Sequence, residues 1–343
     1  MIGGSIPMWW LGAVVACNGG GDAASAPDVG PSDTDTGPAV GPPGPRCADP
    51  GPDAPVVARV VPTPSEFEGS PLEVYLPSGL RGVVFYFYGS DDVTEWNGPE
   101  QTAFFNQMYD AGLGYVAYSK ADPRRGASWD DRETDFARNA DLARLERLRD
   151  ELVATTPLEA DTPIVSVGFS DGGAFSVFFA AQTSIQRGWP IAAVLVHNSS
   201  GAGSELPDVP IWATASAFDE AFVLEGAAEL AEAQAARGFE ATFARVDERP
   251  VTPDVFLRHA EWDAEKAAEM HQDLVDFGLV DADGNRLVPD GAIDQALASY
   301  LEQSLARGNA VSAERSRVVW ATHRYSALHT RDECDLALRA LGL

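Results

Sequence analysis

Positive charge is scarce in this chain. Its 24 lysines and arginines face 52 aspartates and glutamates, a formal charge of −28 at pH 7, and Lys120 and Lys266 are the only lysines. Such a surface repels nucleic acid and the anionic face of a membrane, which excludes both as partners. Cysteine is almost missing, with Cys17, Cys47 and Cys334 alone, and these and the five histidines show no zinc-ligand spacing. Long apolar runs are absent too. Residues 6–16 form the first, and they are too few to span a bilayer. The sequence holds no P-loop, no dinucleotide fingerprint and no internal repeat, so it implies no cofactor and no metal. What remains is a chain of 343 residues, 45% of them hydrophobic, able to build a full core in one large domain or two small ones.

The N-terminus reads as an export signal over residues 1–16. Val14-Val15-Ala16-Cys17 resembles the bacterial lipoprotein box, which makes Cys17 the expected lipidation site, although no Lys or Arg precedes the apolar stretch. Plain secretion is the alternative. Residues 17–55 are rich in Gly, Pro, Asp, Ser and Thr and cannot bury enough surface to offset chain entropy, so they are expected to form a disordered tether. With Cys17 lipidated, Cys47 and Cys334 are the one possible pair, and an oxidising compartment would favour a bridge between them; two free thiols are the alternative.

The most informative segment is Pro163-Ile164-Val165-Ser166-Val167-Gly168-Phe169-Ser170-Asp171-Gly172-Gly173. A short β-branched run reads as a buried strand, stops at a G-x-S-x-G turn, and continues as a buried helix over residues 174–181. The turn throws the Ser170 hydroxyl clear of the backbone, and the small residues at 168, 172 and 173 let strand and helix approach. Further strands are predicted over residues 56–61, 72–76, 82–88, 113–119, 191–196, 210–215 and 241–246. Helices are predicted over 100–111, 131–154, 223–236, 264–277 and 293–305. Alternating strands and helices, with near-continuous apolar strands, predict an α/β fold: a mainly parallel, doubly wound sheet covered by helices on both faces.

On these residues the chain resembles the alpha/beta-hydrolase family, over residues 56–343. The resemblance implies a serine nucleophile, Ser170, an acid after a late strand and a histidine last in chain order. Asp219, just past the strand at 210–215, fits the acid. His323 fits the base, because residues 317–322 read as a last strand-like run and a terminal helix follows. His259 and His329 are the alternatives, and His259 gains if the strand at 241–246 closes the sheet. His197 precedes the acid, and His271 reads as a solvated mid-helix side chain. The implied oxyanion hole is built from the backbone N–H groups of Asp171 and Ser90. Acidic Asp91, Asp92 and Asp171 disfavour anionic substrates. The gap between the strands at 191–196 and 210–215 is too short for a lid domain, and the extra material falls at residues 249–314.

These expectations together describe an exported, lipid-anchored serine hydrolase acting on a small-molecule or polymeric ester, touching a membrane only through its anchor. A non-catalytic binding or structural lipoprotein on the same fold is the first alternative, and a serine peptidase the second. Asp281-Ala282-Asp283-Gly284-Asn285 suggests calcium at first sight, but its glycine comes too early for an EF-hand loop, and a hairpin turn is expected.

Overall fold

The computed structural model describes residues 47, 48, 51–59, 63–89, 98–120, 128–201, 205–303 and 308–343. The export signal, Cys17 and most of the tether lie outside the described residues, as do Ser90, Asp91 and Asp92.

Five strands form the centre of the sheet: β3 (Gly82–Phe87), β4 (Leu113–Tyr118), β5 (Ile164–Phe169), β6 (Ile191–His197) and β7 (Ile211–Ser216). Four of them are buried along their whole length and β6 nearly so, which is what a parallel sheet covered on both faces demands of its side chains. With β1 (Thr63–Phe67), β2 (Ser70–Tyr75) and β8 (Ala241–Val246) they form an eight-stranded sheet in the order β1-β2-β4-β3-β5-β6-β7-β8. Only β1 and β2 pair antiparallel with their neighbours. Every other pairing is parallel.

Period-two alternation sends side chains to two cores. Val83, Phe85 and Phe87 pack with α2 (Ala140–Thr155), α3 (Asp171–Arg187) and α4 (Ala221–Ala236). Val84, Tyr86 and Tyr88 pack with α1 (Pro99–Asp110) and α9 (Thr330–Ala340) on the other face. The α/β class expected from the sequence is therefore the class of the structure. Between β8 and α9 the chain builds a third core from α5 (Pro253–Phe256), α6 (Ala264–Asp276), α7 (Ile293–Gln303) and α8 (Gly308–Val319).

Three expected elements are corrected. Residues 317–322 are not a strand: they close α8, and Val319 and Trp320 are buried in the third core. A short apolar run cannot be told from a buried helix end by periodicity alone. The leading strand at 56–61 is reduced, among the described residues, to one bridge between Val56 and His259. The helix expected over 131–154 starts only at Ala140, because Asp130 and Asp135 draw nearby backbone N–H groups into turns. Asn139 then caps the helix by accepting from the Leu142 N–H at 2.9 Å.

Cys47 and Cys334 form a disulfide that joins chain positions 287 residues apart and pins the entry of the domain to α9. The turn at Asp281 is a hairpin, closed by the antiparallel Val280–Arg286 bridge. Its carboxylate accepts from the Asp283 and Asn285 backbone N–H groups and from the Asn285 amide. His271, expected as a solvated side chain, is half-buried, with its Nε2 away from solvent.

Candidate active site

Ser170 stands between β5 and α3 in a backbone conformation that L-residues rarely adopt, with φ 55° and ψ −123°. The local sequence makes this possible. A Cβ at Gly168 would lie 1.9 Å from the Gly172 carbonyl oxygen, and one at Gly172 would lie 2.2 Å from the Phe87 carbonyl oxygen. Only glycine fits either position, so the chain turns tightly enough to lift Ser170 off the sheet. The Ser170 N–H donates to the His197 carbonyl at 2.8 Å, which fixes the turn to β6.

Asp219 follows β7. Its carboxylate is nearly buried, with 1% of the side chain exposed, and it accepts from the Glu220 N–H at 2.8 Å. His323 lies in the loop between α8 and α9. Its Nδ1 is 2.8 Å from Asp219 Oδ2 and 3.0 Å from Oδ1, while its Nε2 is 2.8 Å from Ser170 Oγ. An ionised carboxylate only accepts, so Asp219 selects the tautomer with hydrogen on Nδ1. The Nε2 lone pair is thereby left facing the serine hydroxyl. Phe169 covers one side of the imidazole at 5.3 Å. The acid loop and the histidine loop are stitched by the Phe218 N–H donating to the Ala321 carbonyl at 2.9 Å. Three side chains from three distant parts of the chain thus form one continuous hydrogen-bonded line.

The other histidines take different places. His259 stacks on Trp262 at 5.3 Å and faces Glu261. His329 stands just before α9, 6.3 Å from Trp212. His197 is fully buried behind the site, 3.1 Å from Thr214 Oγ1, and burial pushes its pKa down to about 3.

Of the two expected oxyanion-hole donors, Ser90 lies outside the described residues. Asp171 opens α3, so its peptide sits at the positive end of a helix, directly after Ser170. Its carboxylate accepts from the Trp129 N–H at 2.9 Å. Burial raises its pKa, with the Trp129 hydrogen bond opposing.

Two supporting groups left no readable trace in the sequence. Trp129 is buried in a loop before α2, stacks on Phe175 at 4.4 Å and donates from Nε1 to the Tyr88 carbonyl at 2.8 Å. Glu100, at the start of α1, is buried between Arg258 Nε at 3.1 Å and Arg315 Nη1 at 2.5 Å. Its second oxygen accepts from the Ala327 N–H at 2.8 Å, four residues after His323. Burial works against the charge on Glu100, but Arg315, Arg258 and that N–H hold its pKa below the usual carboxylate value. Among the described residues, no three His, Cys, Asp or Glu side chains are grouped to hold a metal ion.

The sequence matches no known family model and no curated protein. Among solved structures, a Pyrobaculum calidifontis esterase is similar at 12% identity with a TM-score of 0.40, over 65% of this chain and 87% of that one. A ferulic acid esterase is similar at 12% identity with a TM-score of 0.40, over 55% of this chain and 89% of that one. An arylesterase is similar at 13% identity with a TM-score of 0.39, over 57% and 78% of the two chains. Likeness at this level carries nothing about the chemistry of this chain.

Proposed function

We propose that the chain is a serine hydrolase that cleaves a carboxylic ester through an acyl-enzyme. Ser170 Oγ attacks the ester carbonyl while His323 Nε2 takes its proton, and Asp219 holds and stabilises the resulting imidazolium. The negative charge that develops on the carbonyl oxygen is met by the backbone N–H of Asp171 and by that of Ser90. When the tetrahedral intermediate collapses, the C–O bond to the leaving alcohol breaks and His323 returns the proton to it. Water then attacks the acyl-Ser170 ester with His323 again as base, releasing the acid and restoring the serine.

The observation that carries this reading is the hydrogen-bonded line from Asp219 through His323 to Ser170, with both links at 2.8 Å. It is tested by hydrolysis of p-nitrophenyl acetate. Ser170→Ala is expected to lower turnover by about 10⁶, the cost of removing the nucleophile in a comparable enzyme. A Ser170→Ala protein that keeps most of its activity would sink the reading.

Export and a lipid anchor at Cys17 belong to the same proposal. They rest on residues 14–17, and the Cys47–Cys334 disulfide supports an oxidising compartment. Cys17→Ser should release the protein from membranes; unchanged membrane association would contradict the anchor.

A further inference from the structure

Asn198 occupies a junction that the mechanism above does not use. It follows β6, is buried, and holds a left-handed backbone conformation with φ 47°. Asparagine is among the few residues that tolerate this region, so the position is selective for backbone as well as side chain. All three limbs of the site meet there. The carbonyl before it, of His197, accepts the Ser170 N–H at 2.8 Å, and the Asn198 N–H donates to the Thr214 carbonyl at 2.8 Å. Its Oδ1 accepts from the Ser216 N–H at 2.9 Å, three residues before Asp219. Its Nδ2 donates to the Arg324 carbonyl at 2.8 Å, directly after His323, and to Ser216 Oγ at 3.0 Å.

The orientation of the amide is fixed by these partners. The Ser216 N–H can only donate, so the oxygen must face it, which turns the NH₂ group toward the Arg324 carbonyl. One small side chain therefore bonds the end of the acid's strand to the loop that carries the histidine. Its backbone is continuous with the peptide that anchors the nucleophile.

We propose that Asn198 is a positioning residue that holds the Asp219–His323 pair in register with Ser170. This rests on the hydrolase reading. The histidine loop arrives from α8, outside the sheet, and has no strand of its own to locate it. A shift of about 1 Å in such a group costs about 10² in rate.

Two variants are compatible with the left-handed backbone and alter or remove the amide. Asn198→Gly deletes it. Asn198→Asp keeps the acceptor for the Ser216 N–H but sets a carboxylate against the Arg324 carbonyl. With p-nitrophenyl acetate, both are expected to lose about 10- to 100-fold in kcat with KM nearly unchanged. The Asn198→Asp rate relative to wild type should recover as pH falls, because a protonated carboxyl again donates to Arg324. Should Asn198→Gly fail to fold, the pH dependence of the near-isosteric Asn198→Asp decides alone. A kcat within twofold of wild type, or a pH-independent ratio, would overturn the role of Asn198. Labelling of Ser170 by a fluorophosphonate separates the two levels. Labelled wild type with unslowed variants refutes only the positioning role, whereas unlabelled wild type refutes the hydrolase reading beneath it.

Discussion

The indole N–H of Trp129 donates to the carbonyl oxygen of Tyr88 at 2.8 Å, while the Trp129 backbone N–H reaches the carboxylate of Asp171 at 2.9 Å. One residue thus ties Tyr88, just past β3, to Asp171, the first residue of α3 and one of the proposed oxyanion-hole donors. Trp129→Phe keeps an aromatic ring against Phe175 and removes the indole donor. Turnover is expected to fall about tenfold, a fraction of the 10²–10³ that loss of an oxyanion donor itself costs. Stability should fall by about 1 kcal/mol, the usual worth of one hydrogen bond. Steady-state kinetics beside urea unfolding check both, and an unchanged kcat would deny the residue any part in shaping the site.

Among the described residues, Glu100 is the only carboxylate bonded to both Arg258 and Arg315, and all three side chains are buried. Glu100→Gln leaves two guanidiniums without an anion and is expected to cost about 3–5 kcal/mol at pH 7. The sign of the pH dependence follows from the lowered pKa of Glu100 relative to its ordinary 4.5. Its contribution is complete above that value and is lost as pH falls through the folded-state pKa. Urea unfolding at pH 7 and at pH 3 should therefore show the gap between wild type and variant narrowing in acid.

Glu333 behaves in the opposite way. It is fully buried 3.7 Å from His197, and both of its oxygens are buried without a hydrogen-bond partner among the described residues. Burial, and then Asp332, push its pKa well above the ordinary 4.5, so folding favours its neutral form. The unfolded chain releases that proton near the ordinary value, and stability falls as pH rises beyond it. Glu333→Gln should raise the unfolding temperature at pH 8 more than at pH 5. His197, held down to about 3 by burial, adds a loss on the acid side as pH drops below its ordinary 6.5. Thermal melts of wild type and Glu333→Gln across pH 4–9 read both slopes.

The central sheet is legible because β3, β4, β5 and β7 are buried on both faces and carry continuous apolar runs. The half-exposed strand from Ala241 to Val246 has the bounds that its sequence predicts. The helix onset at Ala140 is not legible in the periodicity, since Asp130, Asp135 and Asn139 settle it by side-chain bonds to nearby backbone. Ser170 could be singled out because motif, strand and helix are contiguous. Asp219 could be singled out because it stands just past a strand end. His323 is singled out in the sequence by a strand-like run that is not a strand. Residues 317–322 are the end of α8 and a turn, and what brings His323 to Ser170 is long-range: the Phe218–Ala321 bond, Asn198 and Glu100. Contacts that span from 41 to 227 residues leave no local period to read, which is why Trp129, Asn198 and Glu100 carry no mark in the sequence.

The most direct measurement is covalent labelling of the purified protein with a fluorophosphonate, located by peptide mass spectrometry. Phosphonylation requires a serine made nucleophilic by a neighbouring base, so it reports the Ser170–His323 pair without any assumption about the substrate. A single adduct on Ser170 is expected. His323→Ala should nearly abolish it, while His259→Ala and His329→Ala should leave it intact. Labelling that survives His323→Ala and disappears with His259→Ala or His329→Ala, or a folded wild type that takes no label at all, would contradict this expectation.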